Sequence, residues 1–417
     1  MMSRNLRIFA VAAVVLWAVG AMNDARVMYV LAGVCAAIIL VSFLLSQLAL
    51  TRLRVQMSPP ARNAVAGASI TPKLHLQSVG GITVGSAAVE TVMENLTVEG
   101  VTVRRRLLLP PMPPLSEFDV DVELVPPLRG RYRLRPPALI DTDPIGMFEQ
   151  RREQGEAHDL VVFPRTYDLP PVVAWEAGYG RHTSRGRDVR RDQGEFRGIR
   201  EHTPGDDLRH VHWKVTAHVG ELAVKEYEPI RHDLISVHLD LLADNHYGDG
   251  AVSTLETSIS AAASIARAGL AEQRSVGVFG EGLPQGVSRS GSGQPHLHRI
   301  MVALAEARPA DDGAFAASLS SQLRSVPRGA SIFVITTAVE EPLVEVIAAR
   351  SGAAGSVMLV VVRGDLEGAS ERFALIPQRV VESARAAGIQ VAVLRSPADI
   401  TEALAAASAR RPAVGAL

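Results

Sequence analysis

The chain has 417 residues, 43 Lys and Arg against 44 Asp and Glu, and a formal net charge of -1. That balance excludes a general electrostatic attraction to nucleic acid or to acidic lipid. The single cysteine, Cys35, excludes a disulfide framework and a thiolate zinc cluster. The length leaves room for two or three domains.

A mean hydropathy of +0.15 is high for a soluble chain, and the excess is local. Leu6–Met22 carries one charge, Arg7, and Val27–Leu50 carries none. As helices they would cover about 25 and 36 Å, against a hydrocarbon core of roughly 30 Å. Asn23-Asp24-Ala25-Arg26 between them suits a tight turn, so residues 1–50 read as a transmembrane hairpin. Arg4 and Arg7 precede it and Arg52 and Arg54 follow it, which places both ends in the cytoplasm of a bacterial inner membrane. A cleaved signal peptide ending near Ala18–Ala21 is the alternative. The uninterrupted second segment would then still stop transfer.

From 51 to 170 the apolar period is two. Glu117–Leu124 alternates, and after Val125-Pro126-Pro127-Leu128 the residues Tyr132 and Leu134 alternate with Arg131, Arg133 and Arg135. The two runs are expected to be antiparallel neighbours, with the arginines facing the acidic row. Lys73–Leu76 and Leu160–Phe163 are further strands, and the region reads as a small antiparallel β-sandwich, although a barrel would give the same signal. Asp141–Gly146 reads as a turn rather than a calcium loop, because it lacks further oxygen ligands at the required spacing.

Residues 171–232 form a segment dense in charge and histidine. Thr203-Pro204-Gly205-Asp206 has the grammar of a helix start and Gly220 that of a stop, which predicts a capped helix over 203–219. Its apolar face would hold Leu208, Val211, His212, Val215 and Val219, and the opposite face Asp206, Arg209, Trp213 and Ala217. Leu222–Tyr227 then reads as a strand leading into the next domain. His210 and His212 point about 200° apart on such a helix and cannot share an ion, and His212 fits a core histidine. Asp206 and Asp207 in the first turn disfavour a phosphate there. Arg181–Arg209 has eight basic and six acidic residues, too little excess for nucleic acid. Arg209 and Trp213 either pack against the neighbouring β domain, with the arginine lying over the indole, or form an exposed hot spot for a protein partner.

From 233 to 417, apolar runs at Leu234–Leu242, Ser275–Phe279, Ser331–Ile335, Val357–Val362 and Gln390–Leu394 alternate with helical patterns. The patterns are Thr254–Ala271, His296–Ala307, Glu341–Arg350, Phe373–Ala387 and Ile400–Arg410. That alternation predicts a doubly wound α/β domain with a mainly parallel sheet. No P-loop, dinucleotide fingerprint, nucleophile elbow or zinc-protease motif occurs. No cofactor is therefore expected.

The dense segment closely resembles the signature of the domain-of-unknown-function 58 family. The resemblance rests on Arg200, His202, Gly205, Asp206, Arg209, Val211, Trp213, Lys214, Thr216 and Ala217, followed by Val224-Lys225-Glu226-Tyr227-Glu228. His218 stands where the family has arginine. Arg129-Gly130-Arg131-Tyr132 and Asp143-Pro144-Ile145-Gly146-Met147-Phe148 resemble two further family elements. The resemblance implies a membrane hairpin, a β domain and a von Willebrand factor A-like α/β domain. It also implies association with MoxR-type AAA+ ATPases and with transglutaminase-like membrane proteins. A von Willebrand metal site would need hydroxyl ligands after the first strand, where Asp240-Leu241-Leu242-Ala243-Asp244 has none. The expectation is a non-enzymatic adaptor that docks a protein through Arg200, Gly205, Asp206, Arg209, Trp213 and Lys214. The rivals are an enzyme using Asp206, His202 or His212, and a metal-dependent adhesion module at Asp240 and Asp244.

Overall fold

The computed structural model describes residues 4–49, 53–58, 60–80, 83, 87–142, 147–170, 194–202, 211–229, 234–284, 289–311, 313–364 and 378–409. The chain forms two compact units. One holds Met1–Arg165 with Met301–Arg308, and the other holds Thr166–Ile300 with Pro309–Leu417.

The first unit opens with two apolar helices, α1 (Arg4–Asn23) and α2 (Arg26–Ala49). They are long and apolar enough to cross a membrane, and in each only a small share of the span is covered by protein. Asp24, in the left-handed region at φ 48°, turns the chain between them. Gly20 lets the helices approach, since a Cβ there would lie 3.2 Å from that of Met28.

Ten strands follow: β1 (Leu53–Met57), β2 (Asn63–Val65), β3 (Lys73–Ser78), β4 (Ala87–Asn95), β5 (Thr102–Leu108), β6 (Glu117–Asp121), β7 (Gly130–Leu134), β8 (Ala138–Thr142), β9 (Glu149–Glu153) and β10 (His158–Phe163). They form one sheet ordered β1-β3-β6 and a seven-stranded sheet ordered β2-β10-β7-β4-β8-β9, with β5 paired to β4. Leu74 and Leu76 from the first sheet share a core with Val89, Met93, Tyr132 and Leu134 from the second. This is the sandwich expected from the period of two, with one departure: β2 runs parallel to β10, while the other pairs are antiparallel.

The expected pairing of the acidic run with the arginine run does not occur. β6 pairs with β3, while β7 pairs with β10 and β4. Alternation sets which side chains face inward but does not choose the partner strand. The acids Glu117 and Asp119 therefore meet Gln77 and His75 across β3. The arginines find other carboxylates: Arg131 with Glu306 at 2.8 Å, Arg133 with Asp159 at 2.9 Å, and Arg135 with Glu94 at 2.9 Å.

The Arg129-Gly130-Arg131-Tyr132 run has a structural reading. Arg129 is buried, and its guanidinium donates to the carbonyls of Leu304 at 2.7 Å and Ala307 at 2.8 Å. These lie at the end of a helix that stops at Glu306. A cation there complements the negative helix terminus, while burial pulls the guanidinium pKa down to about 9. Gly130, at φ 142°, lies where a Cβ would come within 2.6 Å of the Asn95 side chain. Tyr132 fills the core and donates its hydroxyl to the Leu128 carbonyl at 2.8 Å.

In the second unit, β11 (Gly194–Glu201), the short helix α3 (Trp213–Val219) and β12 (Ala223–Pro229) form a two-stranded ribbon with a helical insertion. Then come β13 (Leu234–Leu239), α4 (Thr254–Ala271), β14 (Ser275–Phe279), α5 (Gln294–Glu306), α6 (Phe315–Ser325), β15 (Ser331–Thr336), α7 (Glu341–Ser351), β16 (Ser356–Val362), α8 (Gln378–Ala386), β17 (Gln390–Leu394) and α9 (Ile400–Ala409). The C-terminal part of α5, from Met301 to Glu306, belongs to the first unit. All four pairings in the five-stranded sheet are parallel, in the order β14-β13-β15-β16-β17.

Helices cover both faces of that sheet. Ile332 and Val334 of β15 share a core with Leu319 of α6, Leu343 of α7 and Val380 of α8. Ile235 of β13, in register with Ser331, points to the opposite face, where it closes on Gly269 of α4. Four of the five predicted helices both begin and end within two residues of expectation. The fifth, expected from Phe373, is described from Gln378, and 373–377 lie outside the described residues. Helix α6 was not anticipated. Its sequence FAASLSSQLRS buries only Leu319 and Leu323, too sparse an apolar stripe to announce itself.

Candidate functional site

The charged segment folds differently from expectation. Within it, Thr203, Pro204, Gly205, Asp206, Leu208, Arg209 and His210 lie outside the described residues, as does the Asp143–Gly146 run. At Val211 the chain is extended, not helical, and bridges to Val224 of β12. The His212 amide donates to the Ala223 carbonyl at 2.7 Å. A helix running unbroken from 203 to 219 is therefore ruled out, because Val211 is bridged to the strand and the His212 amide is spent on it.

Helix α3 begins only at Trp213. His212 caps it, its Nδ1 accepting from the Val215 amide at 3.3 Å. The residue expected to be a core histidine is half-buried and closes a helix end. Gly220 ends the helix as anticipated, in the left-handed region at φ 83° with its amide donating to the Thr216 carbonyl. The Thr216 hydroxyl accepts from the Ala223 amide at 3.1 Å, which ties α3 to β12. The strand expected over Leu222–Tyr227 is β12. It pairs with β11 in its own two-stranded sheet and does not join the five-stranded one.

This small module has little interior. Val211, Ala223 and Val224 are buried. Trp213 is 65% exposed, and Val219 of the same helix, Leu222 just before β12 and Ile199 of β11 are exposed as well. Val219 was expected on a buried face, and the shortened helix leaves it outside. Lys214 is exposed and Arg200 lies in β11 opposite Val224. Of the six expected docking residues, Arg200, Trp213 and Lys214 fall on this module, while Gly205, Asp206 and Arg209 lie outside the described residues.

Asp240 follows β13 at the end of the central strands and is fully buried. One carboxylate oxygen accepts from the Leu242 amide at 3.1 Å. The other accepts from the Asn245 side chain and from the Thr336 hydroxyl, both at 2.8 Å. The sequence showed no hydroxyl following Asp240, and the fold supplies one from β15. Asp244 is exposed and apart from this network. Among the described residues no group of three or more His, Cys, Asp or Glu side chains could hold a metal.

A second polar cluster went unseen in the sequence. Ser236 and His238, two apart on β13, share one face, and Ser236 Oγ lies 2.9 Å from His238 Nε2. His238 Nδ1 lies 2.8 Å from Gln322 Oε1 of α6, and the ring stacks on Phe279 at 5.1 Å. Burial pulls the imidazole pKa down to about 4, against a smaller opposing effect of the Gln322 hydrogen bond. Ser236 and His238 are both completely buried, so a substrate has no access to them.

Among solved structures, the chain is similar to the CARDB domain of a Pyrococcus furiosus protein crystallised with di-metal ions. Identity is 18%, covering 26% of this chain and 91% of that one, with a TM-score of 0.20. It is also similar to a β-glucosidase from Listeria innocua (12% identity, 26% of this chain, 16% of that one, TM-score 0.18). A Pseudomonas fluorescens alkylpurine DNA glycosylase bound to DNA gives 10% identity over 24% of this chain and 30% of that one, with a TM-score of 0.18. At these scores the likenesses carry no argument about function. No curated protein matches the chain. Residues 198–368, which include the ribbon from Gly198, helix α3 and four strands of the parallel sheet, match the family described as Protein of unknown function DUF58, and this match supports placing the chain in that family.

Proposed function

We propose that this protein is a membrane-anchored, non-enzymatic adaptor that docks a protein partner through the ribbon and helix α3. The observation that carries the reading is Trp213, 65% exposed on a module whose neighbouring Val219, Leu222 and Ile199 are also exposed. A small module that exposes a large aromatic, three aliphatic side chains and Lys214 has the composition of an interface. The DUF58 resemblance supplies the partner class, a MoxR-type AAA+ ATPase, with a transglutaminase-like membrane protein as the second candidate.

The finer assignments belong to the same proposal. We read the five-stranded parallel sheet with helices on both faces as von Willebrand factor A-like. An adhesion role is disfavoured because the Asp240 carboxylate already accepts three hydrogen bonds. Arginines flanking the two apolar helices support a cytoplasmic placement of everything after α2.

The test is binding of the detergent-solubilised full chain to a purified MoxR-type AAA+ ATPase, with and without Trp213→Ala. Truncating a tryptophan at an interface centre costs about 2 kcal/mol or more, which is a loss of tenfold or more. Because Trp213 is exposed, the melting temperature should stay within a few degrees. Unchanged affinity in a folded variant would remove Trp213 from any such interface.

A further inference from the structure

We propose that the membrane-facing rim of the β-sandwich is a second membrane contact, which inserts leucines into the bilayer and binds anionic phospholipid headgroups through Arg104, Arg105 and Arg106. The proposal rests on reading α1 and α2 as a membrane hairpin.

Strand register shows which end of the sandwich faces the bilayer. Phe43, inside the apolar span of α2, packs edge-to-face on Phe148 at 5.5 Å, and α2 also contacts β8 and β9. The Thr142–Glu149 pair is thus the row of the seven-stranded sheet nearest the membrane. Two residues away, about 7 Å along the strands, lies the row formed by Ile140, Ala88 and Leu108. Leu108 ends the edge strand β5 and is 76% exposed.

The other sheet leads to the same place by a separate route. Leu53, four residues beyond the end of α2, pairs with Ser78, whose amide donates to the Ser116 carbonyl. Next to Ser116 is Leu115, 77% exposed. Both sheets therefore present a bare leucine at the end that adjoins the hairpin.

The arginines stand behind these leucines. Arg106 and Arg104 follow Leu108 on the outer face of β5 at about 7 and 14 Å from it, and Arg105, between them in sequence, alternates to the face of Val103. All three are exposed. An apolar tip followed by cations matches an interface in which apolar groups enter 5–10 Å and charges stay at the phosphates. The acids on neighbouring β4 are already engaged, Glu90 by Arg151 and Glu94 by Arg135. Arg106 only approaches Glu149, at 4.0 Å, and among the described residues Arg104 and Arg105 form no ion pair. Arginines also deter edge-to-edge pairing of an exposed strand, but that role leaves Leu108 and Leu115 at the same end unexplained. The net charge of -1 hides this patch.

The test uses the full chain reconstituted into vesicles containing spin-labelled lipid, with a bimane probe at one site at a time. The sites are the native Cys35, and Leu108→Cys, Leu115→Cys and Leu96→Cys in a Cys35→Ser background. Leu96 lies just beyond the far end of β4, eight residues or about 27 Å from the Leu108 row. In vesicles with phosphatidylglycerol, the probes at 35, 108 and 115 should be quenched and the probe at 96 should not. Arg104→Gln, Arg105→Gln and Arg106→Gln should each lower the docked population about fivefold. If 108 and 115 resemble 96 while Cys35 is quenched, the second contact is refuted and the hairpin stands. If Cys35 itself is unquenched, the hairpin reading fails and the proposal with it. Equal quenching at 108 and 115 in pure phosphatidylcholine would overturn the anionic-lipid assignment.

Discussion

His238 shows how one residue links the fold to pH. Its ring is buried among Ser236, Gln322 and Phe279, and its pKa is pulled to about 4 from an ordinary 6.5. The unfolded chain therefore binds the proton more readily. The stabilisation is complete above pH 6.5 and is lost as pH falls towards 4. At pH 4.5 the loss should be about 2 to 3 kcal/mol, because each pH unit below 6.5 weakens the fold by roughly 1.4 kcal/mol. Denaturant midpoints at pH 7.5 and 4.5, compared with those of His238→Gln, measure it. A variant with the acid sensitivity of wild type would assign the effect to other groups. Arg129 behaves differently: it too is desolvated, but two helix-end carbonyls receive its protons. The family-like run Arg129–Tyr132 thus has a role in packing and backbone satisfaction.

At the scale of one element, α3 has seven residues, too short to persist without its ties. Its ends are held by the His212 cap and by Gly220, and its middle by the Thr216 hydroxyl on the Ala223 amide. A Cβ at Gly220 would meet nothing within 4 Å, so Gly220→Ala tests the left-handed backbone alone. It should cost about 1 kcal/mol, confined to this element. Amide exchange at 213–220 should quicken several-fold while the parallel sheet keeps its protection, and partner affinity should fall with it. Unchanged exchange would show that the ribbon alone holds the helix. The same element shows why local grammar overreached. Thr203-Pro204-Gly205-Asp206 reads as a helix start, yet Val211 bridges to Val224 and the His212 amide is spent on β12. A capping pattern states where a helix can begin and not whether a strand will compete for the residues that follow.

For the whole molecule, two apolar helices with arginines on both flanks make orientation the open variable. With both flanks positive, a reporter fused after Leu417 should be active only on the cytoplasmic side, and a fusion within the Asn23–Arg26 turn only outside. Periplasmic activity at the C-terminal end would reverse the proposed placement, although the vesicle experiment would be unaffected because it reads depth and not side. A cytoplasmic placement would also bring Arg104–Arg106 to the leaflet richer in anionic lipid.

Elements whose side chains follow one period were legible without coordinates. The two spans are uninterrupted apolar runs. Helix α4 has Ser253 as its cap and an alanine-rich face, and β14 and β17 are short apolar runs between turns. Partner choice was not legible. β6 and β7 alternate in the same way yet enter different sheets, the Asp240 carboxylate is met by Thr336 from 96 residues away, and Gln322 reaches His238 from 84 residues away. Periodicity is a property of neighbouring residues and is set by the local backbone geometry. Pairing and burial depend on which distant segments compete for the same hydrogen bonds and the same core, and only the assembled chain resolves that competition.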